Sequence, residues 1–174
     1  MPRIYVASLS DYNSGRLHGR WIDANQDEDS IWEEVQAMLE ESKEPIAEEW
    51  AIHDYDGFGD LRLGEYESFE RISLIAQDIE LYGEGETAAF LGNFGADFDG
   101  SFPDYYVGQF ESEKDYAYEY VSDCGWANLD SQQLESIEPY LDWDAIARDL
   151  FSDGYWSARA GAPDYGVYVF RSEA

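Results

Sequence analysis

Ser30-Ile31-Trp32-Glu33-Glu34-Val35-Gln36-Ala37-Met38-Leu39 is the stretch on which the reading of the fold turns. Ser30-Ile31-Trp32-Glu33 has the form of a capping box, in which a hydroxyl and a carboxylate three residues apart satisfy backbone amides at a helix start. Val35, Met38 and Leu39 follow at helical spacing, which predicts a helix over residues 31–42. Upstream, Ile4, Val6 and Leu9 alternate in residues 3–9, and Leu17 to Ile22 form a second short run after the turn-rich segment Ser10-Asp11-Tyr12-Asn13-Ser14-Gly15. Downstream, Pro45 closes the helical region, and Trp50-Ala51-Ile52 begins a third strand that ends in the acidic, glycine-rich stretch Asp54 to Asp60. Residues 1–62 therefore read as a ββαβ module.

The next segment, 63–110, reads as a central helical module. Ser68 caps a helix whose apolar positions Phe69, Ile72, Ile75, Ala76 and Ile79 keep a 3.6-residue period, and Gly83 ends it. A shorter helix contains Ala88 to Leu91, stopped by Gly92 and Gly95, and residues 96–104 carry turn chemistry. The remainder, 111–174, reads as an α+β module. Ser112 opens a helix reaching Asp123, and helices near 131–138 and 143–151 start from Asp130 and Asp142 on either side of Pro139. Tyr155 to Arg159, a Gly-Ala-Pro-Asp turn and Gly166 to Arg171 form a terminal hairpin. Its last strand has Val167 and Val169 on one face and Tyr168 and Phe170 on the other. A strand apolar on both faces is either central in a covered sheet or paired at a subunit interface, so these four residues are candidates for a dimer contact. The fold class expected is α+β, an elongated chain of three small domains.

Composition bounds what such a chain does. Thirty-nine Asp and Glu stand against ten Lys and Arg, a net charge of −29. The excess is even: the three modules carry −10, −9 and −10, which excludes an acidic tail. Leu, Ile, Val and Phe number only 37 of 174, close to the level at which disorder is the default. Six Trp and fourteen Tyr tip the balance toward folding, because each ring buries about 150–250 Å². No run of about 18 apolar residues exists and the N-terminus lacks a signal-peptide pattern, so a cytoplasmic protein is expected. One cysteine, Cys124, and two histidines, His18 and His53, leave no soft-ligand metal set. No cofactor is expected. Binding to nucleic acid or anionic membrane demands basic patches, so neither is expected, and partners should be basic.

The acids recur in rows. Glu111, Asp115, Glu119 and Asp123 lie at successive i,i+4 spacings. Each like-charge pair disfavours the helix by roughly 0.2–0.5 kcal/mol, so stability did not select that row. At 1.5 Å per residue it places one charge every ~6 Å, sparser than the one per ~1.7 Å of duplex DNA, so only several elements side by side approach that density. Glu33, Glu40 and Glu44, flanked by Glu34 and Glu41, play the same part on the first helix. Glu65, Glu67, Glu70, Asp78 and Glu80 do so around the middle one. Salt adaptation is the competing explanation for acidity of this size.

Other constellations are weaker. Asp54-Tyr55-Asp56-Gly57-Phe58-Gly59 with Glu65 twelfth resembles a calcium loop, but Phe58 fifth and Arg62 ninth break the pattern. Cys124 sits among acids that raise a thiol pKa. His53 beside Asp54 reads as a structural pair, and no nucleophile elbow or P-loop is present, so the chain does not read as an enzyme. Paired carboxylates with many Trp and Tyr leave a carbohydrate-active protein as an alternative.

Three stretches together resemble the ArdA family of antirestriction proteins: Ile4-Tyr5-Val6-Ala7, Tyr12-Asn13-Ser14-Gly15-Arg16-Leu17-His18-Gly19-Arg20-Trp21 and Ala51-Ile52-His53-Asp54-Tyr55. Leu141-Asp142-Trp143 and Ala147-Arg148-Asp149-Leu150 are similar to a later family segment, whereas the middle third matches only in acidity and helical character. The resemblance implies a DNA mimic carried by mobile genetic elements, which occupies the DNA-binding groove of the methyltransferase core of type I restriction-modification enzymes. It also implies an elongated homodimer of three-domain subunits joined through the C-terminal domain. Such a dimer carries twice the −29 charge, equivalent to roughly 100 Å or about 30 base pairs of duplex if every charge faces the partner. The alternative within this class is an acidic mimic directed at nucleoid proteins or repressors. Arg16, Arg20 and Arg62 are bases within the acidic surface, and either interrupt it or form internal pairs.

Overall fold

The computed structural model describes residues 1–95, 101–123, 129–161 and 165–173. Packing divides the chain into two compact units, Met1–Ala96 and Asp97–Ala174, each combining helices with a three-stranded antiparallel sheet. The fold is α+β. Among the described residues, no helix is long and apolar enough to cross a membrane.

In the first unit the order is β1 (Arg3–Ser8), α1 (Leu9–Asn13), β2 (Gly19–Asp23), α2 (Glu28–Glu40), β3 (Trp50–Asp56), α3 (Phe69–Tyr82) and α4 (Glu84–Phe94). β1 is central, between β2 and β3. Ile4 faces Ile22 and Val6 faces Ile52 across the ladders, which places branched side chains on one face. Ile31, Val35 and Met38 of α2 and Ile72, Ile75, Ala76 and Ile79 of α3 close over that face in one core. Each isoleucine so buried contributes about 1.5–3 kcal/mol. Both helices expected in a central module lie in the first unit: α3 shares the core of the N-terminal sheet, and α4 packs on α3.

The glycines of the Tyr12-to-Trp21 stretch have separate causes. Gly15 adopts φ +77°, a left-handed conformation that any side chain resists. At Gly19 a Cβ would meet the Val6 carbonyl oxygen at 2.6 Å and the Tyr5 ring at 2.8 Å. Tyr5 packs against Trp21 with ring centroids 5.5 Å apart, and the Arg3 guanidinium lies 4.7 Å over the Trp21 ring.

Four local expectations are corrected. Asp27 rather than Ser30 caps α2: its Oδ1 accepts from the Ser30 amide at 2.8 Å and its Oδ2 from the Ser30 hydroxyl at 3.0 Å, so the helix starts at Glu28. The segment 10–15 is not all turn, because Ser8 caps the short α1 by accepting from the Asp11 amide. Gly92 does not stop α4, which runs on to Phe94. Finally, Phe102–Tyr105 is a short helix, α5, rather than loop, while residues 96–100 of that expected loop lie outside the described residues.

The second unit continues with β4 (Tyr106–Phe110), α6 (Glu113–Asp123), α7 (Ser131–Ile137), α8 (Trp143–Asp153), β5 (Tyr155–Arg159) and β6 (Val167–Arg171). Asp130 and Asp142 cap α7 and α8, and Gln133 completes a capping box with Asp130. β4 was not expected; it pairs with β6, which also pairs with β5. β6 is therefore the central strand. Its Phe170 stacks on Trp156 at 4.3 Å and meets Tyr106 at 5.3 Å and Phe102 at 6.0 Å. On the other face Tyr116 of α6 contacts Phe110, Tyr155 and Phe151. Tyr168, Val169 and Phe170 are buried and Val167 half-buried within the single protomer. Of the two readings of this strand the central one is observed within the protomer, with both of its edges paired. The Gly-Ala-Pro-Asp turn of the hairpin falls partly outside the described residues, as does Cys124.

Candidate functional site

A helix in a charged chain needs few carboxylates to stay soluble, so what matters is which acids the fold leaves open and unpaired. The two units carry −16 and −13, from 22 acids with 6 bases and 17 acids with 4. Of the fourteen acids picked out from sequence, Glu33, Glu40, Glu41, Glu65, Glu70, Glu80, Glu111, Asp115, Glu119 and Asp123 are exposed. Glu34, Glu44, Glu67 and Asp78 are half-buried.

On α6 the row is open. Asp115, Glu119 and Asp123 succeed one another on the helix, with Glu111 in the turn just before it. Asp115 is tied to Ser112, whose hydroxyl donates to its Oδ2 and accepts from its amide. The nearby cation, Lys114, reaches Asp144 at 3.2 Å instead, and Glu113 accepts from the Ser157 hydroxyl at 2.7 Å. No described ion pair neutralises the row. α8 adds Asp149 and Asp153, four residues apart and exposed, a pair that sequence reasoning passed over although the i,i+4 spacing was visible.

Around α2 the picture is mixed. Glu33 and Glu40 are exposed, while Glu34 accepts from the Gln26 amide at 2.8 Å. Glu41 holds Arg20 at 2.8 Å, and Glu44 holds Arg16, which also reaches Asp11 at 3.3 Å. Two of the bases in question thus form internal pairs beyond the helix C-terminus, where a cation also offsets the dipole. Arg62 makes none of the described ion pairs.

Around α3, Glu65, Glu70 and Glu80 face solvent, and Glu67 pairs with Arg71 one turn on at 2.8 Å. Asp78 is half-buried, and that desolvation raises its carboxyl above the ordinary value. Asp11 differs from all of these. It is buried, and hydroxyls of Ser42 and Ser8 with the Arg16 guanidinium hold its carboxyl below the ordinary range against the opposing effect of burial. It is a structural acid joining α1 to the segment after α2.

The other constellations carry no site. Asp54 and Asp56 lie in β3, Asp56 pairs with Arg3 at 2.9 Å, and Phe58 is in the core, so the calcium-like pattern is not a ligand loop. His53 meets the Tyr12 ring edge-on at 4.9 Å, and Asp54 accepts from the Tyr55 amide. His18 Nε2 donates to the Met38 carbonyl at 2.7 Å. Among the described residues no group of three or more His, Cys, Asp or Glu is placed to hold a metal ion.

What remains is an acidic surface distributed over helices of both units, several of whose few bases are tied back into the fold. No curated protein matches the chain. The family model described as antirestriction protein (ArdA) matches residues 4–162 of the 174, spanning both units and including Tyr12-to-Trp21 and the α6 row. The chain belongs to the ArdA family of antirestriction proteins.

Proposed function

We propose that this antirestriction protein is a DNA mimic, a non-enzymatic inhibitor that occupies the DNA-binding groove of type I restriction-modification enzymes. The observation that supports it is the α6 row, which forms no ion pair among the described residues and is kept at a cost to helix stability while Lys114 is directed to Asp144. An enzyme that grips duplex DNA with Lys and Arg gains affinity by releasing counterions. A folded acidic surface presents a similar field and offers no base to cleave or methylate. Because the charge is spread over α2, α3, α6 and α8, no single carboxylate carries the affinity.

Two copies acting together extend the charged surface, and a homodimer through the second unit is part of this reading. Since both edges of β6 are paired and Tyr168, Val169 and Phe170 are buried, such a contact would reach the sheet through its outer strands β4 and β5, with half-buried Val167 as the part of β6 nearest to hand. The test is displacement of labelled duplex from a type I methyltransferase core. Loss of bound DNA at near-stoichiometric protein supports the reading, and retention of DNA under excess protein sinks it.

A further inference from the structure

In the first unit, four aromatic side chains from separate segments line a cavity of about 330 Å³, within the size range of ligand pockets. Trp50 of β3 stacks on Phe69 at 4.5 Å. The Trp50 ring also lies 6.1 Å from that of Trp32 of α2 and 6.5 Å from that of Tyr66. Trp32 and Tyr66 stay open, at 38% and 67% exposure. Glu28 and Asp29 stand on the rim, both exposed and in no described ion pair or side-chain hydrogen bond, whereas Glu67 is engaged with Arg71. The helix dipole accounts for two acids in the first turn of α2. It does not account for aromatic surface left beside them.

We propose that this pocket takes an arginine side chain of a basic protein partner, the guanidinium stacked against Trp32, Trp50 and Tyr66 and its charge met by Glu28 and Asp29. Ring faces attract cations, and a planar guanidinium stacks where an ammonium acts as a point charge. The chain's −29 charge selects basic partners and excludes an acidic peptide. The inference rests on the reading that the partner's surface is basic, and adds to it a discrete anchor that charge mimicry alone does not require.

The experiment is tryptophan fluorescence of the full chain titrated with acetyl-Gly-Arg-Gly-amide, its lysine and citrulline counterparts, and cellobiose. Saturable binding is expected for the arginine peptide, weaker for lysine, and roughly two- to thirtyfold weaker for citrulline, the range a cation–π contact spans. Trp32→Ala and Tyr66→Ala abolish the preference for arginine over lysine at unchanged net charge. Tyr66 is the more exposed of the two, so its variant keeps the test valid if Trp32→Ala fails to fold. Equal binding of arginine and lysine peptides would reduce the effect to the general field and overturn the proposal. So would tighter binding of the disaccharide, or an unchanged response in Tyr66→Ala. The same variant in the duplex-displacement assay separates the two ideas. If wild type displaces DNA and Tyr66→Ala does so equally well, the anchor fails and mimicry stands. If the arginine peptide binds with the expected preference while wild type displaces no DNA, the anchor stands and mimicry fails.

Discussion

Neutralising the α6 row as Glu111→Gln, Glu119→Gln and Asp123→Asn together should move stability and inhibition in opposite directions. Asp115 is left in place because its carboxylate and amide are engaged with Ser112. The triple variant removes the Asp115–Glu119 and Glu119–Asp123 repulsions, together roughly 0.4–1 kcal/mol. It also removes an acid from the helix C-terminus, where the dipole disfavours it. For a unit of this size the relief of repulsion corresponds to a Tm increase of roughly 2–8 °C. Binding should weaken, and in a salt-dependent way. If all three charges face the partner, the slope of log affinity against log salt falls by up to about 2.7. The wild-type advantage then shrinks about 40-fold between 0.05 and 0.2 M salt. Calorimetric melting and displacement of labelled duplex at those two salt concentrations give both numbers. A variant that melts higher yet inhibits as well as wild type at both would show that the row is only a solvated face.

Three further outcomes follow from the fold. Gly19→Ala forces a Cβ against the Val6 carbonyl and the Tyr5 ring, and should lower urea stability by about 1–3 kcal/mol, the usual cost of overpacking. For Asp11, whose carboxyl is held below its ordinary value, the stabilisation is present above the unfolded value and lost as pH falls through the folded one. The stability gap between wild type and Asp11→Asn, read by denaturant titration, should therefore hold at neutral pH and close only in strong acid. Asp78 is shifted the other way, so ionising it opposes folding as pH rises through its raised value. Asp78→Asn should raise Tm at pH 7, with the difference fading below the ordinary carboxylate range.

Much of the architecture was legible because its signals are local. Ser68, Asp130 and Asp142 cap the helices they announce, and the 3.6-residue period of Phe69 to Ile79 marks the buried face of α3. Cap identity at α2 was harder, since Asp27 and Ser30 are both good caps and only the backbone decides between them. β4 escaped notice because Tyr106 to Phe110 is short, holds Gly108 and has an irregular register, so it has little alternation to read. Without β4 the flanks of β6 were unknown, which is why its two apolar faces left an interface open. The acidic rows were visible as spacing, but pairing was not. That Glu41 and Glu44 are occupied by arginines while the α6 row has no ion pair among the described residues depends on long-range contacts. The Trp32, Trp50 and Tyr66 pocket was illegible for the same reason, its walls coming from α2, β3 and the segment before α3.

The central claim is that this surface and DNA compete for one groove through charge. It is tested most directly by measuring the affinity of the purified protein for a type I methyltransferase core from 0.05 to 0.4 M salt, with and without saturating duplex. The account predicts mutually exclusive binding and an affinity that falls steeply and log-linearly with salt. A ternary complex of enzyme, duplex and protein, or an affinity flat across that range, would contradict it.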